Sequence, residues 1–247
     1  MPLPRIHCDV RLGPGAQFPL AAEAAQHVSK SLRLKVGDAL TVFDGQGGEF
    51  EAVIQRIDRD RVDVKLGQAC AVERESVLAI GLVQGLPEAD KMDWIIQKAV
   101  ELGAGWIQPL VCDRSVVRLA GERAARREAH WRRVAVAACE QCGRNRVPEV
   151  RPTLDFLNWI ATPSPVARWL LQPEAPPLAR HAPPDGPLEL LVGPEGGLSE
   201  RERELALSRG CEPLSLGPRI LRAETAPVAA LATVQALWGD FLAGSSG

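Results

Sequence analysis

The chain from about residue 77 onward alternates between apolar runs and segments in which apolar residues recur with the period of a helix. Residues 77–86 form an apolar run, residues 89–102 have helical periodicity, and residues 106–112 are apolar again. Strands that alternate with helices build a parallel sheet, because each helix crosses over the sheet and covers one of its faces. This part of the sequence therefore predicts an α/β domain.

The same alternation continues to the C-terminus, with one interruption. Residues 173–187 are rich in proline, which removes a backbone donor and fixes φ, so we expect a surface loop there. One later helix should begin at Ser199, with Glu202 completing a capping box. The predicted elements of this part are helices at 122–142, 153–161, 199–209 and 224–242, and strands at 166–172, 188–192 and 212–216.

The first 70 residues or so have a different pattern, which predicts short strands separated by turns. Strands are predicted at 39–44, 48–58 and 61–66, and turn signals such as Asp44-Gly45 separate them. A short helix is expected at 21–32. Short strands this close together in the sequence are typical of a small β-barrel.

Composition excludes several classes of protein. A formal net charge of -2 excludes the uniformly basic surface of a nonspecific nucleic-acid binder, although local basic patches are still allowed. No window holds the roughly 20 uncharged apolar residues of a membrane span. The first residues also lack the basic-then-apolar pattern of a signal peptide. We therefore expect a cytosolic protein.

Cysteine and histidine residues indicate neither a metal site nor a catalytic nucleophile. Six cysteines are scattered along the chain, which predicts reduced thiols rather than a disulfide framework. Cys139 and Cys142 form a CxxC pair, which is compatible with a redox pair or half of a zinc site. On a predicted helix with no second ligand pair, we expect neither. No Ser-His-Asp or Cys-His order emerges near the glycine-rich segments described next.

Residues 193–197, with the sequence GPEGG, lie between a predicted buried strand and a capped helix. Ligands of open α/β sheets bind at the carboxyl ends of the strands, and glycines let a ligand approach the backbone N–H groups closely. The segment is neither a Walker A loop nor a complete GxGxxG, so it does not favour a nucleotide phosphate. The glycines alone are equally compatible with a tight connection that binds nothing.

A second loop, at residues 216–222, follows the next strand and should lie at the same edge of the sheet. A crevice between the two loops would suit a flat, partly apolar ligand such as an adenine nucleoside. Its lining would include Val192, Leu216, Ile220 and Leu221, and its rim would carry Arg219, Arg222 and Glu224. The alternative is that these charges are simply solvated, with Glu224 favouring the dipole of the helix that follows.

Two segments together carry a resemblance to a known family. Residues 193–197 read GPEGG and residues 216–226 read LGPRILRAETA. In this order they closely resemble the bacterial 16S ribosomal RNA uridine N3-methyltransferases, the RsmE family of the SPOUT superfamily. Further similarities lie at Lys91 with WIIQKAVE at 94–101, at Arg114-Ser115, at Glu140-Gln141 with Arg144 and Pro148, and at His27, Leu32-Arg33 and Gly37-Asp38. Cys142 departs from the family, whose members usually carry Ser there.

The resemblance implies a fold class and a domain organisation. The expected fold is α/β, with a SPOUT-type deep trefoil-knotted methyltransferase domain at residues 73–247, preceded by a small PUA-like β-barrel domain at residues 1–72 that binds RNA. It also implies a homodimer with the active site at the subunit interface. The apolar segment 228–242 could supply that interface, although burial within its own subunit would explain the segment equally well.

The resemblance further implies S-adenosyl-L-methionine as the cofactor. The residues expected to bind it are Leu171, Leu191, Val192, Gly193, Pro194, Glu195, Gly196, Gly197, Leu216, Gly217, Ile220, Leu221 and Thr225. Those expected to contact RNA are Arg33, Lys91, Arg114, Gln141, Arg144 and Arg219. For catalysis, we expect Arg222 to stabilise the uridine anion or an adjacent phosphate, and Glu224 to orient the base or accept its proton.

The reaction that the resemblance implies is methylation of N3 of a uridine, uridine 1498, in the 16S ribosomal RNA of the small ribosomal subunit. The expected partners are this RNA and a second copy of the chain, with no membrane and no metal. Two alternatives stay open. One is a SPOUT methyltransferase acting on another RNA nucleotide, at a ribose 2′-hydroxyl or a transfer RNA guanine. The other is a noncatalytic RNA-binding module.

Overall fold

The structure is a computed structural model that describes residues 3–59, 61–88, 91–119 and 121–242. Contacts within the chain divide it into two units. The first comprises Met1–Glu75 with Cys139–Val147, and the second comprises Ser76–Ala138 with Pro148–Gly247. The sequence does not predict that Cys139–Val147 clusters with the first unit. The first residues of this segment belong to the helix predicted at 122–142, which the sequence assigns to the second unit.

The first unit is built on short strands, as the sequence predicts. Its elements are β1 (Arg5–His7), β2 (Gln17–Pro19), α1 (Ala22–Gln26), β3 (Ala39–Phe43), β4 (Glu49–Asp58) and β5 (Arg61–Cys70), with a π-helical turn at His27–Ser31 after α1. In the part of the chain that the structure describes, the strand order is β1-β3-β4-β5-β2. Strand β1 pairs with β3 in parallel, and the other pairs are antiparallel.

Alternating burial along the strands forms the core of this unit. In β5, Val62, Val64 and Leu66 are buried, whereas Arg61 and Lys65 are exposed, as expected for a sheet with one face covered. The strand pair β4 and β5 contains two irregularities in register, and such bulges bend a sheet. The buried core residues are Ile6, Cys8, Leu20, Ala25, Val28, Leu40, Val42, Ala52, Ile54, Val62, Val64 and Leu66.

The second unit is a parallel sheet with crossing helices, which confirms the predicted α/β class. Its elements are β6 (Ile80–Gly85), α2 (Lys91–Glu101), β7 (Trp106–Val111), α3 (Gly121–Cys142), β8 (Glu149–Val150), β9 (Leu154–Asp155), α4 (Phe156–Ala161), β10 (Ala167–Leu171), β11 (Leu188–Val192), α5 (Glu200–Ser208), β12 (Glu212–Leu214) and α6 (Thr225–Trp238). The last four residues of α3 belong to the first unit. No described helix is long and apolar enough to cross a membrane.

The strand order of this sheet places β10, β11 and β12, the last three strands in the sequence, side by side. Within the described residues the order is β12-β10-β11-β6-β7-β8, and β9 pairs separately with β7. All of these pairs are parallel. The chain leaves β10, β11 and β12 at the same edge, because parallel strands end on the same side of a sheet. Loops that are distant in sequence therefore begin side by side.

Helices cover the sheet and bury its strands. Phe156 and Trp159 of α4 and Ala206 of α5 share a buried cluster with Val83 and Leu191 of the sheet. Helix α6 contacts both α2 and β11. Every residue of β11 is buried, including the charged Glu189, which fits its central place in the order.

Several predicted boundaries shift. The predicted strand at 77–86 begins only at Ile80, the strand at 212–216 ends at Leu214, and the terminal helix at 224–242 spans Thr225–Trp238. In the segment predicted as a helix at 153–161, Leu154–Asp155 form the short strand β9, and the helix α4 begins only at Phe156. Residues 89 and 90 of the helix predicted at 89–102 lie outside the described residues.

The proline-rich loop is irregular, as expected, but it is anchored. The amide of Ser215 donates to the carbonyl of Pro176 (2.9 Å), and the amide of Leu178 donates to the carbonyl of Ser215 (3.0 Å). Residues Leu178–Arg180 form a short 3-10 turn, and Leu178 is buried. The loop is thus fixed beside the chain that follows β12.

A buried carboxylate interrupts the apolar strand β11. Glu189 accepts hydrogen bonds from Trp106 Nε1 (3.1 Å), Arg168 Nε (3.1 Å) and Arg151 Nη1 (3.4 Å). The side chains of Glu189 and Arg168 are 4% and 10% exposed, respectively. The carboxylate therefore links β11 to the neighbouring strand β10, which carries Arg168, and to the more distant β7, which carries Trp106, while Arg151 directly follows β8.

We expect Glu189→Ala to lower the free energy of unfolding by about 3–5 kcal/mol, because it leaves the buried guanidinium of Arg168 without its partner. Chemical denaturation followed by circular dichroism measures the change. Glu122→Ala is the control, since it removes an ion pair with Arg126 whose side chains are 93% and 79% exposed. That variant should change stability by less than about 0.5 kcal/mol. Equal losses in the two variants would contradict the assignment.

Candidate active site

Two loops of the second unit, which follow the strands on either side of β10, line one cavity of about 340 Å³. The first loop follows β11 and the second follows β12, while the end of β10 and the start of α6 complete the wall. The structure therefore brings together the two loops that the sequence places at one edge of the sheet. The lining residues are Leu170, Leu171, Gln172, Pro173, Val192, Gly193, Pro194, Glu195, Gly196, Gly197, Leu198, Arg203, Leu214, Ser215, Leu216, Gly217, Arg219, Ile220, Leu221, Ala223 and Ala226.

Most residues expected to bind a cofactor line this cavity, but Leu191 and Thr225 do not. Leu191 is fully buried in the core with α4 and α5, because successive residues of a strand face opposite sides of the sheet. Thr225 is exposed at the first position of α6. The expected residues that do line the cavity are Leu171, Val192, Gly193, Pro194, Glu195, Gly196, Gly197, Leu216, Gly217, Ile220 and Leu221.

Further lining residues were not expected from the sequence. Gln172 and Pro173 directly follow Leu171, so extending the end of β10 by two residues would have found them. Arg203 lies four residues after Ser199, one helical turn into α5, where a side chain comes back over the start of its helix. The remaining unexpected residues are Leu170, Leu198, Leu214, Ser215, Ala223 and Ala226.

The backbone of the first loop closes tightly, and glycine is needed for that. A Cβ atom on Gly193 would lie 3.0 Å from both the carbonyl carbon of Gly197 and the amide nitrogen of Leu198. Gly197 has a φ of 68° and Gly217 in the second loop has a φ of 92°, in the left-handed region that favours glycine. Main-chain atoms therefore form much of this side of the cavity, and a ligand can approach them closely.

The capping box of α5 fixes the exit of the first loop. The Ser199 hydroxyl accepts from the Glu202 amide (3.2 Å), and the Glu202 carboxylate accepts from the Ser199 amide (2.8 Å), as predicted. The second oxygen of Glu202 accepts from the amide of Asp113 (2.8 Å), and Ser199 Oγ donates to Asp113 Oδ2 (2.7 Å). The start of α5 is thereby tied to the loop that follows β7.

A lysine of α2 is paired with the first loop. Glu195 Oε1 accepts from Lys91 Nζ (2.7 Å) and from the Glu88 amide (3.0 Å). The hydrogen bond to Glu195 raises the pKa of Lys91 above its ordinary value. Burial raises the pKa of Glu195, but the hydrogen bonds from Lys91 and Glu88 outweigh that effect, and the pKa lies below its ordinary value. Both groups are therefore charged at neutral pH.

The two residues expected to be catalytic stand at the start of α6, on either side of the cavity-lining Ala223. Arg222 is exposed, and its carbonyl accepts from the amides of Thr225 (2.9 Å) and Ala226 (3.0 Å). Glu224 is half-buried, and its Oε2 is a buried atom with no hydrogen-bond partner among the described residues. A buried carboxylate oxygen without a donor is uncommon, and it can accept a proton.

The side chains expected to contact RNA occupy different environments. Arg219 is exposed and lines the cavity, and Lys91 is paired as described. Arg114 Nη1 donates to the carbonyl of Gly196 (2.8 Å), which adds a contact to the first loop. Arg33 and Gln141 are both exposed within the first unit, and Arg33 has a φ of 55°.

Arg144, which is among the residues expected to contact RNA, is the one of them whose side chain is buried against another residue of the first unit. Its side chain is buried, and both Nε (2.9 Å) and Nη2 (2.6 Å) donate to Glu75 Oε2. In the same unit, Arg5 Nη2 donates to the Arg144 carbonyl (3.2 Å) and to Asn145 Oδ1 (2.6 Å). Glu140 Oε1 accepts from the His7 amide (2.9 Å). This motif holds the 139–147 segment within the first unit, and burial favours that structural role for Arg144 over direct contact with RNA.

The first cysteine of the CxxC pair is a buried thiol. Cys139 is buried, and burial raises the pKa of its thiol to about 12, so the nucleophilic thiolate is scarce at neutral pH. Its Sγ lies 3.6 Å from the carbonyl oxygen of Arg146. Among the residues that the structure describes, no group of three or more His, Cys, Asp or Glu side chains is arranged to hold a metal ion.

Two family models match this chain. A model described as an RNA methyltransferase domain matches residues 74–235, which include the cavity and both of its loops. A model described as an RNA methyltransferase PUA domain matches residues 20–67.

Curated relatives match over most of their length. A protein of Bacillus subtilis (strain 168) named ribosomal RNA small subunit methyltransferase E is 31% identical over 227 residues, covering 88% of this chain and 89% of the relative. A protein of the same name from Synechocystis sp. is 32% identical over 229 residues, covering 90% of this chain and 74% of the relative.

Solved structures with a bound ligand are also similar. A methyltransferase from Legionella pneumophila in complex with the cofactor SAM has a TM-score of 0.94 and 36% identity, covering 97% of this chain and all 100% of the other. A ribosomal RNA small subunit methyltransferase E from Neisseria gonorrhoeae bound to S-adenosyl methionine has a TM-score of 0.91 and 36% identity, covering 97% and 99%.

We expect Gly193→Ala to weaken the binding of S-adenosyl-L-methionine by about tenfold, because overpacking against the loop backbone costs roughly 1–3 kcal/mol. Isothermal titration calorimetry measures the affinity. Gly186→Ala is the matched control, since a Cβ there meets no atom within 4 Å and the residue is outside the cavity. Full affinity in Gly193→Ala would show that the loop backbone does not shape the binding site.

Proposed function

The chain belongs to the RNA methyltransferase family, together with the ribosomal RNA small subunit methyltransferases E, and we propose that it transfers a methyl group from S-adenosyl-L-methionine to 16S ribosomal RNA. Within that reaction, we propose N3 of a uridine, uridine 1498 of the small subunit, as the methylated atom. The observation that carries the proposal is the single cavity formed by the loops after β11 and β12.

The cavity has the composition that an adenosyl group requires. Its wall combines apolar side chains, such as Val192, Leu216 and Leu221, with main-chain atoms made accessible by glycine, and these suit an adenine ring and a ribose. A volume of about 340 Å³ lies at the small end of the range for ligand pockets. When bound, S-adenosyl-L-methionine supplies an electrophilic methyl group on a positively charged sulfur.

Methylation at N3 of uridine requires the loss of an imide proton and leaves negative charge on the base before the new bond forms. Glu224 has a buried oxygen that lacks a donor, so we propose it as the proton acceptor. Arg222 is exposed two residues earlier, and its guanidinium would stabilise the anion of the base or a phosphate beside it. Most of the acceleration would come from holding the reactants in place.

We propose that the RNA contacts exposed cationic and polar side chains in each of the two units. Arg219 belongs to the cavity wall and Arg114 contacts the carbonyl of Gly196, so both stand near the proposed methyl donor. Arg33 and Gln141 are exposed in the first unit, which contains most of the segment matched by the PUA model. We propose residues 1–72 as the RNA-binding domain and 73–247 as the methyltransferase domain.

Three further features of the proposal come from the family resemblance. We propose that the chain after β11 passes through a loop to form a trefoil knot, that two copies form a homodimer, and that the enzyme acts in the cytoplasm, where its ribosomal substrate is found. The exposed apolar side chains of Leu237 and Phe241, near the end of α6, are compatible with a subunit interface.

In vitro methylation tests the reaction and its target. Small ribosomal subunits from a strain that lacks this gene are incubated with the protein and S-adenosyl-L-methionine, and the RNA is digested to nucleosides for mass spectrometry. We expect 3-methyluridine as the new product. A methylated ribose or guanine would instead identify another RNA target, and an absence of cofactor binding in calorimetry would favour a noncatalytic RNA-binding module.

We expect Arg222→Ala to lower turnover on these subunits by about 10²-fold or more, because one charge-stabilising group is removed from the transition state. The affinity for S-adenosyl-L-methionine should change less than about threefold, because the Arg222 side chain is not part of the cavity wall. Calorimetry and single-turnover rates separate the two effects. Unchanged turnover would dismiss the proposed role.

A further inference from the structure

One ammonium group lies between acidic side chains of both cavity-lining loops. Lys91 Nζ is 2.7 Å from Glu195 Oε1 in the loop after β11, and it is 3.9 Å from Glu224 Oε2 at the end of the loop after β12. Lys91 itself is the first residue of α2, an element separate from both loops. The three side chains therefore connect three segments that are far apart in the sequence.

The two carboxylates are not equivalent partners of Lys91. Glu195 Oε1 is fully engaged, because it accepts from the ammonium and also from the Glu88 amide. Glu224 Oε2 is beyond hydrogen-bond distance from the ammonium, is buried, and has no donor among the described residues. Lys91 therefore acts on Glu224 through charge alone, while the lone pairs of that oxygen stay free.

This arrangement suits a general base. Burial disfavours the charged form of a carboxylate, whereas a cation within about 4–6 Å favours it. A direct hydrogen bond from the cation would occupy the oxygen that must take up the proton, and a cation at 3.9 Å does not. Among the residues that the structure describes, the charged groups around the ammonium are Glu88, Glu195 and Glu224, and Arg222 lies in the same loop as Glu224.

We propose that Lys91 is a positioning residue for methyl transfer. Its ammonium binds Glu195 of one loop and places a positive charge 3.9 Å from Oε2 of Glu224 in the other, an oxygen that has no hydrogen-bond donor among the described residues. The N3–H bond of the uridine breaks, its proton passes to Glu224 Oε2, and the electron pair stays on N3 as the nucleophile. This inference rests on the proposed function of Glu224 as proton acceptor, and it replaces the direct RNA contact expected for Lys91.

The pH dependence of the single-turnover rate tests the inference, with subunits and S-adenosyl-L-methionine both saturating. Removing the nearby cation favours the protonated carboxyl group, so the acidic limb of the profile should move to higher pH in Lys91→Met. At a fixed pH on that limb, the rate of Lys91→Met should be below that of the unmodified protein. Lys91→Arg keeps the charge and should restore most of the rate.

A second variant separates charge from loop anchoring and guards against misfolding. Lys91→Gln keeps a donor for Glu195 but carries no charge, so it should shift the acidic limb as Lys91→Met does. Lys98→Met is the matched control, because Lys98 lies on the same helix and pairs with Glu101 outside the cavity. Its profile should equal that of the unmodified protein. Thermal melting and cofactor titration verify that each variant is folded.

The outcomes distinguish this inference from the proposed function. If Lys91→Met and Lys91→Gln raise the KM for subunits and change its salt dependence while the acidic limb stays in place, Lys91 contacts RNA and the inference is overturned. If Glu224→Gln loses turnover by about 10²–10⁴-fold and the Lys91 variants keep a normal profile, the inference alone fails. If Glu224→Gln keeps full turnover, the proposed role of Glu224 fails, and this inference fails with it.

Discussion

The parallel pairing of β10 with both β11 and β12 is the constraint on which the rest of the structure depends. It puts the ends of three strands at one edge of the sheet in adjacent positions, and each end opens directly into a segment that lines the cavity. The connection from β11 to β12 has to step over β10, and α5 supplies that crossover. The binding site therefore depends on strand order, because β10 lies between β11 and β12 and its end contributes Leu170 and Leu171 to the cavity that both loops line.

Fixed backbone geometry then gives these loops a definite shape. Gly193 and Gly197 let the first loop fold back on itself, and the capping box at Ser199 stops the helix from unwinding into it. Glu202 uses one carboxylate oxygen for the cap and the other for the Asp113 amide, so a local helix signal also fixes a distant loop. A site built from main-chain atoms needs such anchoring, because side chains cannot adjust to compensate for a shifted backbone.

Local signals in the sequence predict most of the fold and the general position of the site. The helical and strand periodicities, the capping box and the glycines of the two loops are all encoded by residues close in sequence, and the structure contains each of them. Contacts between distant residues leave no such local signal. From the sequence, Arg144 is therefore predicted to be a surface cation, whereas in the structure it is bonded to Glu75. Leu191 is predicted to line the cavity, whereas in the structure its side chain lies in the core, on the other face of β11.

The charged side chains near the cavity can be compared with the charges of the two proposed reactants. S-adenosyl-L-methionine is cationic and RNA is polyanionic, so the two bind best to surfaces of opposite charge. A chain with a formal net charge of -2 can provide both only if its acidic and basic side chains lie in different places. The carboxylates of Glu195 and Glu224 lie together near Lys91, whereas Arg219 and Arg222 are exposed to solvent in the second loop. Lys91 and the two carboxylates together carry one excess negative charge, while Arg203 and Arg219 contribute positive charge to the cavity wall. The RNA contacts proposed for the exposed Arg219 and Arg222 would leave the ion pair of Lys91 and Glu195 intact.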